Sequence, residues 1–281
     1  MPYDPLKELK RVTDYYNGDP LQKRFSALVT GETNAGKTFL LRTARQPVHI
    51  DSFDPGGTKC LSDLIRCKSN PDGQIIADTS FENEDPFNPK VFAKWMKDID
   101  IRLQTGYFEH FGTLCLDSLT SFEKAVIGFG MGNRAGEAPQ HRKDYNPAKV
   151  YIENYIRKLM NLPCDLIITA HLRKESKLLS VDSSSGIRYE EITYRLYTIG
   201  QAVVTVPLLF DEVYVLRGKG SPPKRYIVTD ALGEYIARSR LKRNGMLEAE
   251  EPPDIKKLLK KAGFSSEDKP RLPKEVSEKN V

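Results

Sequence analysis

The segment Gly31-Glu32-Thr33-Asn34-Ala35-Gly36-Lys37-Thr38 fits the spacing G-x-x-x-x-G-K-[ST] at every fixed position. A chain carrying it is constrained to a strand, a tight glycine loop and a helix in that order, because the segment works by aiming successive backbone N–H groups and a helix N-terminus at phosphate oxygens. Phe25-Ser26-Ala27-Leu28-Val29-Thr30 reads as the buried strand, and Phe39-Leu40-Leu41-Arg42-Thr43-Ala44 as the continuing helix. Motif and context together predict a nucleoside triphosphate site. Lys37 is expected on the β and γ phosphates of ATP, and the Thr38 hydroxyl on the Mg2+ that bridges them.

Such a metal needs a second anchor, an aspartate at the end of a neighbouring apolar strand, where a carboxylate can hold a metal-bound water. Phe111-Gly112-Thr113-Leu114-Cys115-Leu116-Asp117-Ser118 provides Asp117. An apolar run ending in aspartate is also how an ordinary helix cap reads, and the phosphate loop is what favours the metal.

The 281 residues suit one large domain with extensions. The net charge of +5 permits nucleic-acid binding without demanding it. No apolar run approaches a membrane span, and Met1-Pro2-Tyr3-Asp4-Pro5 lacks the signature of a secretory signal, so a soluble cytoplasmic protein is expected. Cys60, Cys67, Cys115 and Cys164 form no C-x-x-C pair, and neither zinc nor disulfide is assigned.

Apolar runs recur at Phe25–Val29, Val48–Asp51, Phe111–Asp117, Asp165–Ala170, Val203–Leu209 and Val213–Leu216, each read as a strand. Helix-like stretches follow Lys37 and span Pro89–Leu103 and Ala148–Asn161. Strands alternating with helices predict an α/β fold with a central, mostly parallel sheet flanked by helices. Residues 1–24 read as an N-terminal extension, 25–244 as the core, and 245–281 as a flexible charged tail. Within the tail, Asp254–Phe264 forms a short amphipathic helix, able to dock weakly on a partner or on its own core.

Two stretches read as loops beyond the carboxyl ends of strands, where ligands of open parallel sheets gather. One runs from Ser118 to Asn146, is glycine-rich and carries Arg134, Arg142 and Lys143. The other, Arg173–Arg195, carries Arg173, Lys174, Lys177 and Arg188. Either can be a solvated surface loop or a sensor of the phosphate.

With these features together, the chain resembles the RecA-like P-loop ATPases, and within them the phage-encoded, core-only ATP-binding proteins of the single-strand annealing recombinase type. The resemblance covers roughly Phe25 to Leu241. It implies ATP-dependent binding of single-stranded DNA, promotion of annealing or strand pairing, homo-oligomeric rings or filaments, and a phage-infected bacterial cytoplasm. His171, in Ile168-Thr169-Ala170-His171-Leu172-Arg173, is similar to the family's γ-phosphate sensor, the alternative being a histidine that caps a strand end. Arg217 and Lys219 look like the paired cations that reach a neighbouring subunit's nucleotide, or else belong to a hairpin turn.

One departure stands out. Where the family has a glutamate to orient the attacking water, this chain has Phe53, with Asp54 one residue later. Asp54 is the first candidate for that role and Asp51 the second, and hydrolysis is expected to be slow or DNA-stimulated. Under the recombination reading the basic residues of both loops bind the DNA backbone, while Phe129, Tyr189 or Tyr194 stack on bases. The alternative is an ATP-dependent accessory switch, a helicase loader or assembly factor, gripping a protein partner through the C-terminal tail. A small-molecule kinase is a third option, resting on the phosphate loop alone.

Overall fold

The computed structural model describes residues 4–19, 23–181, 188–231, 233–242 and 246–273. The chain enters through α1 (Pro5–Gly18), which starts where the Asp4 carboxylate accepts the Leu6 and Lys7 N–H groups at 3.0 and 3.4 Å. The core follows with β1 (Ser26–Gly31), α2 (Lys37–Leu40), β2 (Val48–Ser52), β3 (Ile75–Asp78), α3 (Val91–Gln104), β4 (Thr113–Asp117), α4 (Leu119–Met131) and α5 (Asn146–Leu159). It continues through β5 (Asp165–Val181), β6 (Arg188–Leu196), α6 (Ala202–Leu209), β7 (Glu212–Lys219), β8 (Lys224–Val228), β9 (Arg238–Ser239), β10 (Glu250–Glu251) and α7 (Ile255–Lys261).

The sheet runs β10-β8-β7-β1-β5-β4-β2-β3. From β7 to β3 neighbouring strands pair in parallel, and β8 and β10 add an antiparallel edge. Strand β5 therefore lies between the phosphate-loop strand β1 and the Asp117 strand β4. That insertion makes β5 the element touching both halves of the site.

Because side chains alternate across a strand, each face of the sheet buries its own core. On one face α3, α4 and α5 pack an aromatic cluster in which Trp95 meets Phe122 at 4.8 Å between ring centroids and Tyr155 at 5.1 Å. On the other, Ala27, Val29, Ile50 and Tyr214 are covered by Leu40 of the loop helix, by Leu41 just after it, and by Ile255, Leu258 and Leu259 of α7. Among the described residues no helix is long and apolar enough to cross a membrane.

Several sequence expectations are corrected. Val203–Leu209 is helix α6, with Pro207 inside it, since a short apolar run alone does not distinguish a strand from a buried helix. The first part of the expected loop after Ser118 is helix α4, where Phe122, Ala125, Val126 and Met131 are buried despite the glycines at 128 and 130. The expected loop at Arg173–Arg195 is a long antiparallel hairpin of β5 and β6, pairing from Leu172 with Leu196 out to Val181 with Arg188. The helix after Lys37 is only four residues before a 3-10 turn at Leu41–Thr43.

The tail departs furthest. Strand β10 extends the sheet, the Asp254 side chain caps α7 by accepting the Lys257 N–H at 3.1 Å, and Ile255, Leu258 and Leu259 are buried. Beyond the helix, Lys269 donates to the carbonyls of Glu109 at 2.9 Å and Pro163 at 3.0 Å. Of the two docking surfaces the sequence left open for this helix, these contacts are made with the chain's own core. Three apolar side chains on one helical stripe suffice to dock it, however charged its average composition.

Candidate active site

All six residues of β1 are buried, and its end meets two neighbours at once, Gly31 pairing with His171 on β5 and with Leu216 on β7. A Cβ at Gly31 would lie 2.8 Å from the Leu216 carbonyl oxygen, so this position admits no larger residue. The loop then turns through left-handed backbone at Asn34 (φ 62°) and Gly36 (φ 98°), leaving Glu32, Thr33 and Asn34 exposed and Ala35 half-buried. Lys37 folds back beneath it. Its Nζ donates to the carbonyls of Gly31 at 3.1 Å and Glu32 at 3.0 Å. Only 7% of the residue is exposed. Burial pulls its ammonium pKa down against the opposing pull of Asp117 and Asp54.

Asp117 closes the site from β4. Its Oδ2 accepts the Thr38 hydroxyl at 2.7 Å and its Oδ1 the Thr169 hydroxyl from β5. Burial pushes the Asp117 carboxyl up, the Asp54 carboxylate adds to that, and the two threonine hydroxyls and Lys37 work against it. A fully buried carboxylate lifted in this way gains from a nearby cation. Thr38 and Asp117 thus fit as the oxygen donors of a Mg2+ ion held chiefly by phosphate, the way Mg2+ is usually carried. Among the described residues no three His, Cys, Asp or Glu side chains form a metal site of their own.

His171 stands between Lys37 and Asp54. Its Nδ1 lies 3.4 Å from Lys37 Nζ and its Nε2 lies 3.4 Å from Asp54 Oδ2. An ammonium can only donate and a carboxylate can only accept, which assigns the ring proton to Nε2. Asp54 Oδ1 also accepts from Ser118 at 3.0 Å and from Ser121. Burial works to raise the Asp54 carboxyl, but the bonds from His171, Ser121 and Ser118 prevail and hold it below its ordinary value. An ionised carboxylate beside the loop is the group a water-orienting base requires.

Residues 23–241 match the AAA_24 family, described as an AAA domain. The chain belongs to this family. No curated protein matches it. Among solved structures it is similar to a KaiC-like protein from Pyrococcus horikoshii (13% identity, TM-score 0.38, covering 77% of this chain and 83% of that one). It is also similar to the flagellar accessory protein FlaH from Methanocaldococcus jannaschii (14% identity, TM-score 0.36, covering 74% and 82%). This is an AAA-type P-loop ATPase domain.

Within this AAA domain the other predicted residues are dispersed. Asp51 is corrected as a water-orienting base, because it is 1% exposed and its carboxylate already accepts from Arg102 at 2.7 Å, Trp95 at 2.9 Å and His49 at 3.0 Å. Phe53 packs on Phe81 at 5.4 Å between centroids, filling the slot where the resemblance implied a glutamate. Arg217 and Lys219 do lie on the β7–β8 hairpin, Arg217 stacked 4.5 Å over the Tyr235 ring and Lys219 donating to Glu250 at 2.7 and 2.8 Å.

Of the basic residues, Arg134 is paired with Asp144 and lies 4.0 Å from Glu137. Arg142 and Lys143 are exposed, on a turn before α5. Arg173 pairs with Glu175 at 2.6 Å, while Lys174 and Lys177 stand exposed on the hairpin. The side chains of Arg188 and Tyr189 lie outside the described residues. Phe129 packs on Phe92 at 5.3 Å and Tyr194 stacks on Tyr235 at 4.7 Å, which removes Phe129 and occupies one face of Tyr194 as base-stacking platforms.

Thr169, Ser121, Glu82 and Arg225 were not foreseen. Glu82 accepts from Ser52 Oγ at 2.7 Å and from the Gly56 N–H at 2.8 Å, bracing the turn that presents Asp54. Thr169 alone carried a signal, a hydroxyl two residues before His171 and hence on the same face of its strand.

Proposed function

We propose that this chain is an ATP-hydrolysing DNA recombination protein that binds single-stranded DNA and promotes its annealing or pairing. The observation that supports the reading is the continuity of β5. One unbroken strand bonds Asp117 through Thr169, stands between Lys37 and Asp54 at His171, and runs outward as the arm bearing Lys174 and Lys177. A change in charge at the γ-phosphate position thereby acts on a basic arm through a single rigid element.

In this reading the Gly31–Thr38 amides and Lys37 grip the triphosphate, and Thr38 and Asp117 hold Mg2+, which supplies charge neutralisation for phosphoryl transfer when bound. Asp54 orients the attacking water and His171 senses the phosphate. Assembly into rings or filaments belongs to the same proposal, with Arg217 and Lys219 serving a neighbouring subunit's nucleotide.

Anisotropy of a labelled single-stranded oligonucleotide, measured with ATP, with ADP and without nucleotide at two salt concentrations, tests the reading. ATP-loaded protein should bind tightest and lose affinity as salt rises. Absence of single-strand affinity for the ATP-loaded protein in low salt would end it.

A further inference from the structure

We infer that Arg225, on β8, is a nucleotide-phosphate ligand supplied by the same chain that owns the loop. The inference rests on the reading of Gly31–Thr38 as a triphosphate site. Three observations on the β7–β8 hairpin lead to it. First, Arg225 Nη2 donates to the Asn34 carbonyl at 2.8 Å, at the crest of the loop. Second, a Cβ built at Gly36 would lie 3.1 Å from Arg225 Cδ and Nε and 3.2 Å from Cζ, so the side chain lies directly along the loop. Third, the register pairs Arg225 with Gly218, whereas Arg217 pairs with Tyr226 and Lys219 with Lys224. Cross-strand partners share a face, so Arg225 leaves the hairpin on the face opposite Arg217 and Lys219, opposite a residue without a side chain.

The cations of the hairpin therefore divide. Lys219 is held by Glu250 and Arg217 by the Tyr235 ring. Arg225, among the described residues, has no carboxylate partner and only a neutral carbonyl. A guanidinium carries five N–H donors in a fixed fork, so one bond to Asn34 leaves others for an anion. Beside a loop built to receive phosphate, an exposed and unneutralised fork adds a charge-assisted bond to the bound state itself. Its contribution is to nucleotide affinity, whereas a cation acting on charge that develops during transfer contributes to kcat.

The test is titration of Mg-ATP and Mg-ADP against the full chain and its Arg225→Gln and Arg225→Lys variants, with Lys37→Ala as control, together with kcat at saturating ATP. Arg225→Gln should raise Kd for both nucleotides about tenfold and Arg225→Lys by much less, with kcat within about twofold of the parent. An unchanged Kd in Arg225→Gln overturns the inference. So does an equal loss in the glutamine and lysine variants, which would assign Arg225 to bracing Asn34 alone. Failure of the parent protein to bind nucleotide would instead strike the reading of the loop, so the two failures are distinguishable.

Discussion

Thr38 Oγ1 donates to Asp117 Oδ2 at 2.7 Å, joining the start of the loop helix to the end of a strand two places across the sheet. Removing either partner should act on metal dependence first. Asp117→Asn and Thr38→Ala should weaken Mg-ATP binding by about tenfold or more while changing metal-free ATP binding little. Calorimetric titration with Mg2+ and with a chelator checks this, and equal losses under both conditions would refute it. Lys37→Ala should abolish ATP turnover.

Asp54 and Asp51 lie three residues apart in sequence and should respond oppositely to amidation. Asp54→Asn should lower kcat by about a hundredfold or more with little change in melting temperature. Asp51→Asn leaves Arg102 and Asp78 in a half-broken buried network and should cost about 3–5 kcal/mol of stability. Steady-state ATPase and denaturant unfolding, run on both variants, separate the two effects.

Acid unfolding should depend on Asp51. Burial works to raise its carboxyl, but bonds and charges from His49, Arg102 and Trp95 outweigh it, so its folded pKa lies below the ordinary aspartate value. The unfolded state therefore takes up the proton first as pH falls. Its stabilising contribution is complete above that value and is lost as pH drops towards the folded pKa. Unfolding free energy measured from neutral to acid pH should fall less steeply in Asp51→Asn than in the parent.

Leu258→Ala should destabilise the fold by about 2–5 kcal/mol, because the side chain is 1% exposed against the sheet. The same substitution on a loosely attached tail would cost almost nothing. Thermal and chemical unfolding decide between the two.

The phosphate loop, Asp117 and the parallel sheet were legible because they depend on local rules: fixed residue spacing, and apolar runs bounded by turns. Spacing narrows the water-orienting candidates to Asp54 and Asp51, and only the folded contacts separate them, Asp54 lying beside His171 and Asp51 being enclosed by Arg102, Trp95 and His49. The arm at Arg173–Arg195 was misread because, among its described residues, Leu178 and Leu179 are exposed beside the charged residues and no alternation of buried and exposed positions marks the hairpin. Arg225 was invisible because its relation to Asn34 spans 191 residues and depends on strand register.

The Ile255 N–H donates to Thr43 Oγ1 at 3.0 Å, and Leu258 and Leu259 seal the face of the sheet beneath the loop helix. That closure is supplied late in the sequence: a growing chain that has made the loop and every parallel strand still lacks the share of this cover that residues 255–259 contribute.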